Sequence, residues 1–191
     1  MEKIIVNRET RTVIYDTEKR VYKKYIRPKI CKRIKCFLRL RRYPGENYKY
    51  ISDILEKAGI RVVEVLSWSK YSVITKEVFG KSLLEELVTS DKEKGKELIE
   101  KYIDIVKKIV NLNVYYGDFY FNNLMIDKNK EIYVIDIDEM EFTLYSKIFK
   151  NKKVIPRVKQ TLQIQFDRLK GCGVEMDITS EEAFNKIIDG V

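Results

Sequence analysis

Hydrophobic and polar residues alternate through the first 26 positions and then change period. Lys3–Asn7, Arg11–Tyr15 and Arg20–Ile26 are rich in Ile, Val, Thr and Tyr, and polar breaks at Arg8–Thr10 and Asp16–Lys19 separate them. This pattern predicts three antiparallel strands in a meander. Pro28 ends the third. From Lys29 to Arg42 the apolar residues Ile30, Ile34, Phe37 and Leu38 recur at helical spacing, with Lys and Arg on almost every other face. Tyr43-Pro44-Gly45 interrupts that helix. A second helix is predicted over Glu46–Lys57, with Tyr48, Ile51 and Leu55 on one face and Ala58-Gly59 closing it.

Beyond Gly59 the pattern predicts strands at Val62–Leu66 and Tyr71–Val78, a short helix at Ser82–Val88 and a long helix at Lys96–Asn111. A small hairpin follows, Leu124–Ile126 and Ile132–Ile135 around a turn at Asp127–Lys130, and the chain from Glu139 onward reads as mostly helical. The order is strand-rich first and helix-rich second. This is an α+β chain with two lobes, residues 1–78 and 79–191, and the boundary lies near Val78–Lys81.

Composition narrows the chemistry. The 191 residues include no histidine, which removes Ser-His-Asp and Cys-His nucleophile systems, zinc-protease helices and histidine metal triads. Any catalysis must run on carboxylates, Lys, Arg, Tyr, hydroxyls or Cys. Cys31, Cys36 and Cys172 form no metal-ligand pattern, and an odd number argues against a disulfide framework. No apolar run is long enough to span a membrane, and the first residues are too polar for a signal peptide, so a cytoplasmic protein is expected.

The net charge of +9 is not spread evenly: Lys19–Arg42 carries 12 Lys and Arg and no acidic residue. Such a segment suits phosphates, an anionic membrane surface or nucleic acid. Three readings of Lys29–Arg42 stand together. It is a solvated helix packed on its lobe by Ile30, Ile34 and Phe37; or a helix resting on an anionic membrane, peripheral at its inner face; or a nucleic-acid contact with Tyr22, Tyr25 and Tyr43 stacking on bases, the least favoured of the three.

The most informative stretch is Tyr115–Met140. Asp118 lies in the polar loop after the long helix, Asn123 comes five residues later, and Asp136 ends the second hairpin strand. Taken singly, each of these, like Asp138, is a residue type common in turns and caps. Taken in order, a carboxylate, an amide and a second carboxylate flank one rigid hairpin. Asn123 and Asp136 offer hard oxygen ligands for Mg²⁺, leaving Asp118 to orient a hydroxyl. That layout suits phosphoryl transfer from ATP, where positioning and charge neutralisation do most of the work.

With those residues the chain resembles the protein-kinase-like superfamily. Tyr116-Gly117-Asp118 with Asn123 is similar to that family's catalytic loop, and Asp136-Ile137-Asp138 to its metal-binding motif. The resemblance implies a small two-lobed protein-kinase-like fold. It also assigns Lys23, in Val21-Tyr22-Lys23, to the nucleotide phosphates, since alternation sets Lys24 on the other strand face. Glu46 would be the ion-pair partner of Lys23. Lys76–Gly80, with Glu77 and Phe79, would be the hinge that binds adenine through its backbone. The segments GENYKYISDILEKAGI and ITKEVFGKSLLEEL, together with this set, resemble the bacterial lipopolysaccharide core heptose (II) kinases. That likeness implies ATP and Mg²⁺ as cofactors and a sugar or lipid-linked sugar hydroxyl as acceptor. The chain departs from the pattern in having no glycine before Gly45, so no glycine-rich loop, and in carrying Tyr116 and Asp138 where the superfamily has His and Gly. The alternatives are a kinase for another small molecule or a protein serine, and a non-catalytic nucleotide-binding module.

Overall fold

The structure is a computed structural model and describes residues 1–112, 114, 118–140 and 154–189. These residues form two compact units: Met1–Lys57 with Val62–Val78, and Ala58–Arg61 with Phe79–Val191.

The first unit is a five-stranded antiparallel sheet carrying two helices. Its strands are β1 (Glu2–Arg8), β2 (Arg11–Asp16), β3 (Val21–Ile26), β4 (Val65–Trp68) and β5 (Ser72–Lys76), in the order β1-β2-β3-β5-β4. β1 and β2 are joined by a tight turn at Glu9-Thr10, with Arg8 paired to Arg11. The register sets Val13, Lys24 and Val73 side by side, so these three share a sheet face. That face holds the core of the unit: Val73 is fully buried and Val13 nearly so.

Helix α2 (Pro44–Lys57) packs against β4 and β5 and buries Tyr48, Ile51 and Leu55. It can approach closely only because residue 45 has no side chain. A β-carbon there would lie 2.0 Å from the Ser69 carbonyl oxygen and 2.4 Å from that of Ser72. The Gly45 N–H instead donates to the Lys70 carbonyl at 3.1 Å. The glycine read from sequence as a helix breaker is thus a contact residue inside the helix.

The basic helix is shorter than its pattern. α1 spans Ile30–Phe37 and stops at Leu38, and Arg39 follows with φ 56°. Its one buried residue is Cys36, whose Sγ donates to the Arg42 carbonyl at 3.3 Å. Ile30, Ile34 and Phe37 do not pack the helix onto the sheet: they are 73%, 53% and 79% exposed. That overturns the expected packing. The physical reason is that the face carrying Cys36 is the one turned inward, and the apolar stripe lies on another side of the turn.

The second unit holds β6 (Gly80–Ser82), β7 (Leu124–Asp127) and β8 (Ile132–Val134) in one antiparallel sheet, with helices α3 (Leu83–Thr89), α4 (Lys92–Asn111), α5 (Ile155–Gly171) and α6 (Ser180–Ile188). The hairpin expected at 124–135 therefore gains a third strand that the sequence pattern did not show. β6 has only Gly-Lys-Ser to read, which carries no strand signal. A β-carbon at Gly80 would lie 1.7 Å from the Ile126 carbonyl oxygen, so glycine is required where β6 meets β7. Ser82 and Glu85 form a capping box that starts α3, Asp91 caps α4, and Thr179 with Glu182 caps α6. The core comes from one face of α4, including Leu98, Ile99, Tyr102, Val106 and Ile109, with α5 and α6 packed together beside it.

Candidate active site

Asp118, Asn123 and Asp136 are brought together by backbone. Asp118 is followed by buried Phe119 and Phe121, then by a 3-10 turn over Phe121–Asn123 in which the Asn123 N–H donates to the Tyr120 carbonyl at 2.9 Å. The side-chain Nδ2 of Asn123 reaches back to the Asp118 carbonyl at 2.9 Å. This bond orients the amide: its nitrogen is occupied, and Oδ1 is the oxygen left for a cation. The Asn123 carbonyl in turn accepts the Ile135 N–H at 3.0 Å, which ties Asn123 to the residue immediately before Asp136. Ile137 and Met140 are fully buried, and the Met140 N–H closes a turn onto the Ile137 carbonyl at 3.1 Å. The chain on both sides of Asp136 is therefore fixed. Asp118, Asp136 and Asp138 are all half-buried. Tyr116 and Gly117, which complete the loop motif, lie outside the described residues.

Two further residues position the loop, and motif reading missed both. The Tyr102 hydroxyl of α4 donates to the Phe119 carbonyl at 2.7 Å, and its ring meets Phe121 edge-on at 4.9 Å. Burial raises the pKa of that phenol, so it remains a donor. Gln165 of α5 is buried, and its Oε1 accepts the Phe121 N–H at 3.1 Å. Tyr102 reads as one more apolar position of the α4 stripe. Gln165 reads as polar helix surface, and only the fold shows that it faces inward.

The residue set fits Mg²⁺. Among the described residues no group of three or more His, Cys, Asp or Glu is gathered as a metal site. Asn123 Oδ1 with the Asp136 carboxylate gives two hard oxygens. Mg²⁺ commonly takes only one or two protein carboxylates and completes its octahedron with phosphate and water.

In the first unit the expected ion pair is absent. Lys23 Nζ bonds Glu2 Oε1 at 2.5 Å and Asp16 Oδ2 at 3.4 Å, and Glu46 is an exposed residue in the first turn of α2. The Glu2 hydrogen bond, then Asp16, hold the Lys23 ammonium above its usual range. Asp16 is held below the ordinary carboxylate range, chiefly by the Lys19 N–H, with Lys23 and the Glu18 N–H adding to it. It is Lys24 that shares the face of Val13 and Val73, and its ammonium stands 5.2 Å from the centre of the buried Tyr48 ring on α2. Strand alternation sets Lys23 and Lys24 on opposite faces, but it does not say which face α2 covers.

The hinge residues divide between the units. The Glu77 N–H donates to the Arg20 carbonyl at 2.9 Å, so this amide is engaged inside the first unit. Its carboxylate accepts the Tyr15 hydroxyl at 2.8 Å, and that bond is the main reason the Tyr15 phenol titrates above its ordinary value. Phe79, in the second unit, is 53% exposed.

No family model matches the chain. Among curated proteins it is similar to the RIO-type serine/threonine-protein kinase Rio2 of Methanocaldococcus jannaschii, 29% identical over 122 residues, covering 53% of this chain and 44% of the relative. Among solved structures it is similar to the Rio2 kinase of Chaetomium thermophilum, in its complex with ADP/Mg²⁺ and phosphoaspartate. The TM-score is 0.59 at 16% identity, covering 96% of this chain and 60% of that one. The fold is protein-kinase-like. Within this kinase-like fold the sheet unit comes first and the helical unit with the Asp118–Asp136 loop and hairpin second. The chain spans about half the length of the relatives it matches, 44% in one case and 60% in the other.

Proposed function

We propose that this protein is a kinase, transferring the γ-phosphoryl group of ATP to a hydroxyl with Mg²⁺. The observation that carries this is the orientation of Asn123. Its Nδ2 is committed to the Asp118 carbonyl and its own carbonyl to Ile135, so an amide oxygen and the Asp136 carboxylate flank one rigid joint. Bound Mg²⁺ would neutralise phosphate charge. Asp118 would orient the acceptor hydroxyl and take its proton as the oxygen–phosphorus bond forms and ADP departs. The phosphates are assigned to a lysine of β3: Lys23, as the resemblance implies, whose ammonium here meets Glu2 and Asp16, or its neighbour Lys24, which stands over the Tyr48 ring.

A protein serine or threonine hydroxyl is the first acceptor to examine, because the relative from M. jannaschii is a serine/threonine-protein kinase. The heptose acceptor rests on the sequence resemblance alone. Attachment to a carboxylate is a further outcome, since the C. thermophilum structure is described as a phosphoaspartate complex. Hydroxylamine removes phosphate from a carboxylate and leaves a serine or sugar ester intact, so it sorts the product.

The decisive experiment is calorimetry of ATP binding with and without Mg²⁺, on the wild type, Asp136→Ala, Lys23→Met and Lys24→Met. Mg²⁺-dependent binding should be lost in Asp136→Ala and weakened at least tenfold in one of the two lysine variants, with folding retained by circular dichroism. Absence of binding by the wild type at millimolar ATP would refute the kinase reading. It would leave the fold serving as a scaffold.

A further inference from the structure

Among the described residues the apolar stripe of α1 has no partner. Ile30, Ile34, Phe37 and Leu38 lie within one side of the helix and are all exposed, and Leu40 just beyond is exposed as well. Leaving large aliphatic and aromatic side chains in water forgoes the stabilisation that burial would give, and a contiguous exposed patch marks an interaction surface. On the helical wheel Arg33 and Lys35 fall on either side of this stripe. Among the described residues no ion pair engages Lys29, Lys32, Arg33, Lys35 or Arg39, and Lys29–Arg42 contains no acidic residue. The cations are therefore available for an external partner.

We propose that α1 is a membrane-docking element that lies in the plane of an anionic lipid surface, its apolar stripe among the acyl chains and its flanking cations on the headgroup phosphates. Charge decides against a second copy of the chain, because self-association would bring two basic segments together. Side-chain type decides against nucleic acid. The stripe is mainly aliphatic, and two of the three neighbouring tyrosines are engaged internally: Tyr22 stacks on Tyr15 at 4.8 Å, and Tyr43 meets Tyr71 edge-on at 5.5 Å. A short amphipathic helix with cations beside its apolar face is the form that binds anionic interfaces. This inference stands independently of the kinase reading, since it uses none of the residues placed near phosphate or metal.

The test is sedimentation of the full chain with vesicles at fixed salt, comparing phosphatidylcholine alone with equal parts phosphatidylcholine and phosphatidylglycerol. The chain should sediment with the mixed vesicles and stay in solution with the neutral ones. Ile34→Ser with Phe37→Ser should weaken vesicle binding at least tenfold, as expected for removing two buried apolar groups. Lys32→Gln with Arg33→Gln and Lys35→Gln should weaken it roughly a hundredfold. Both variants alter exposed residues, so circular dichroism should be unchanged. Three results would overturn the proposal. One is no sedimentation with the mixed vesicles. Another is full binding by the serine variant, which reduces the contact to diffuse charge. The last is binding to single-stranded RNA without binding to vesicles.

Discussion

An amide side chain is ambiguous as a metal ligand until one of its ends is fixed, and Asn123 is fixed by a single bond to the Asp118 carbonyl. Asp16 shows the same logic with charge. Its Oδ1 accepts the Glu18 and Lys19 N–H groups at 3.2 and 3.3 Å, and its Oδ2 faces Lys23 at 3.4 Å. The carboxylate is favoured as the anion, so its folded pKa lies below its unfolded value. The stability it contributes is then present above about pH 4, the unfolded value, and is lost as pH falls through the folded pKa. Lys23 has the opposite sign: its raised pKa gives stability below about pH 10.4 that is lost as pH rises through the folded value. Asp16→Asn keeps an oxygen for the two turn N–H groups but discards the charge. Urea unfolding across pH should show the wild type ahead of Asp16→Asn on the neutral plateau, converging with it at acid pH, and at alkaline pH keeping the part of the gap that the turn N–H groups supply. A gap that stays constant from neutral to strongly acid pH would show that Asp16 acts through packing alone.

Among the elements, α2 depends on a single missing atom. The Gly45 backbone sits against the Ser69 and Ser72 carbonyls, which belong to backbone and cannot swing aside. Gly45→Ala should therefore destabilise the protein by about 1–3 kcal/mol despite its better helix propensity, as overpacking does. Thermal denaturation measures this, and an unchanged or raised midpoint would show that the joint is soft. The example also shows where sequence reading runs out. Period-2 alternation located β1, β2 and β3 to within a residue or so at most ends, and the period-3.6 pattern located α2, α3 and most of α4, because each buries one face against a core. Pattern gives the faces of an element but not their assignment. In β3 alternation separates Lys23 from Lys24 without saying which of them faces α2; Lys24 stands over the Tyr48 ring, and Lys23 meets Glu2 and Asp16. The same gap leaves the side of α1 that faces solvent open in the sequence, where packing, membrane and nucleic-acid readings stand together, and the structure exposes the apolar stripe. The Asp118, Asn123 and Asp136 spacing was legible because it is local in sequence. The supports from Tyr102 and Gln165 were not, since they arrive from positions 17 residues before and 44 residues after the groups they hold.

For the molecule as a whole, the question is whether the kinase-like fold is loaded or empty. The chain has no glycine before Gly45, and the turn between β1 and β2 is only Glu9-Thr10, so a glycine-rich cover for phosphates is absent. On the reading proposed above, Mg²⁺-dependent binding then rests on Asn123 and Asp136. Ligand binding to the native state stabilises it by mass action, by about 2.7 kcal/mol at a hundredfold excess over Kd. For a chain of 191 residues each kcal/mol raises the melting midpoint by about 2–4 °C, so saturating Mg-ATP should raise it by about 5–10 °C. The shift should vanish with EDTA and in Asp136→Ala, whereas Mg²⁺ without nucleotide should give little, because two protein oxygens hold the ion weakly without phosphate. An equal rise with ATP in EDTA would place the nucleotide on the protein's cations alone and remove Asn123 and Asp136 from the metal role. A rise that persists in Asp136→Ala but needs Mg²⁺ would move the ion to another carboxylate, with Asp138 the nearest in sequence.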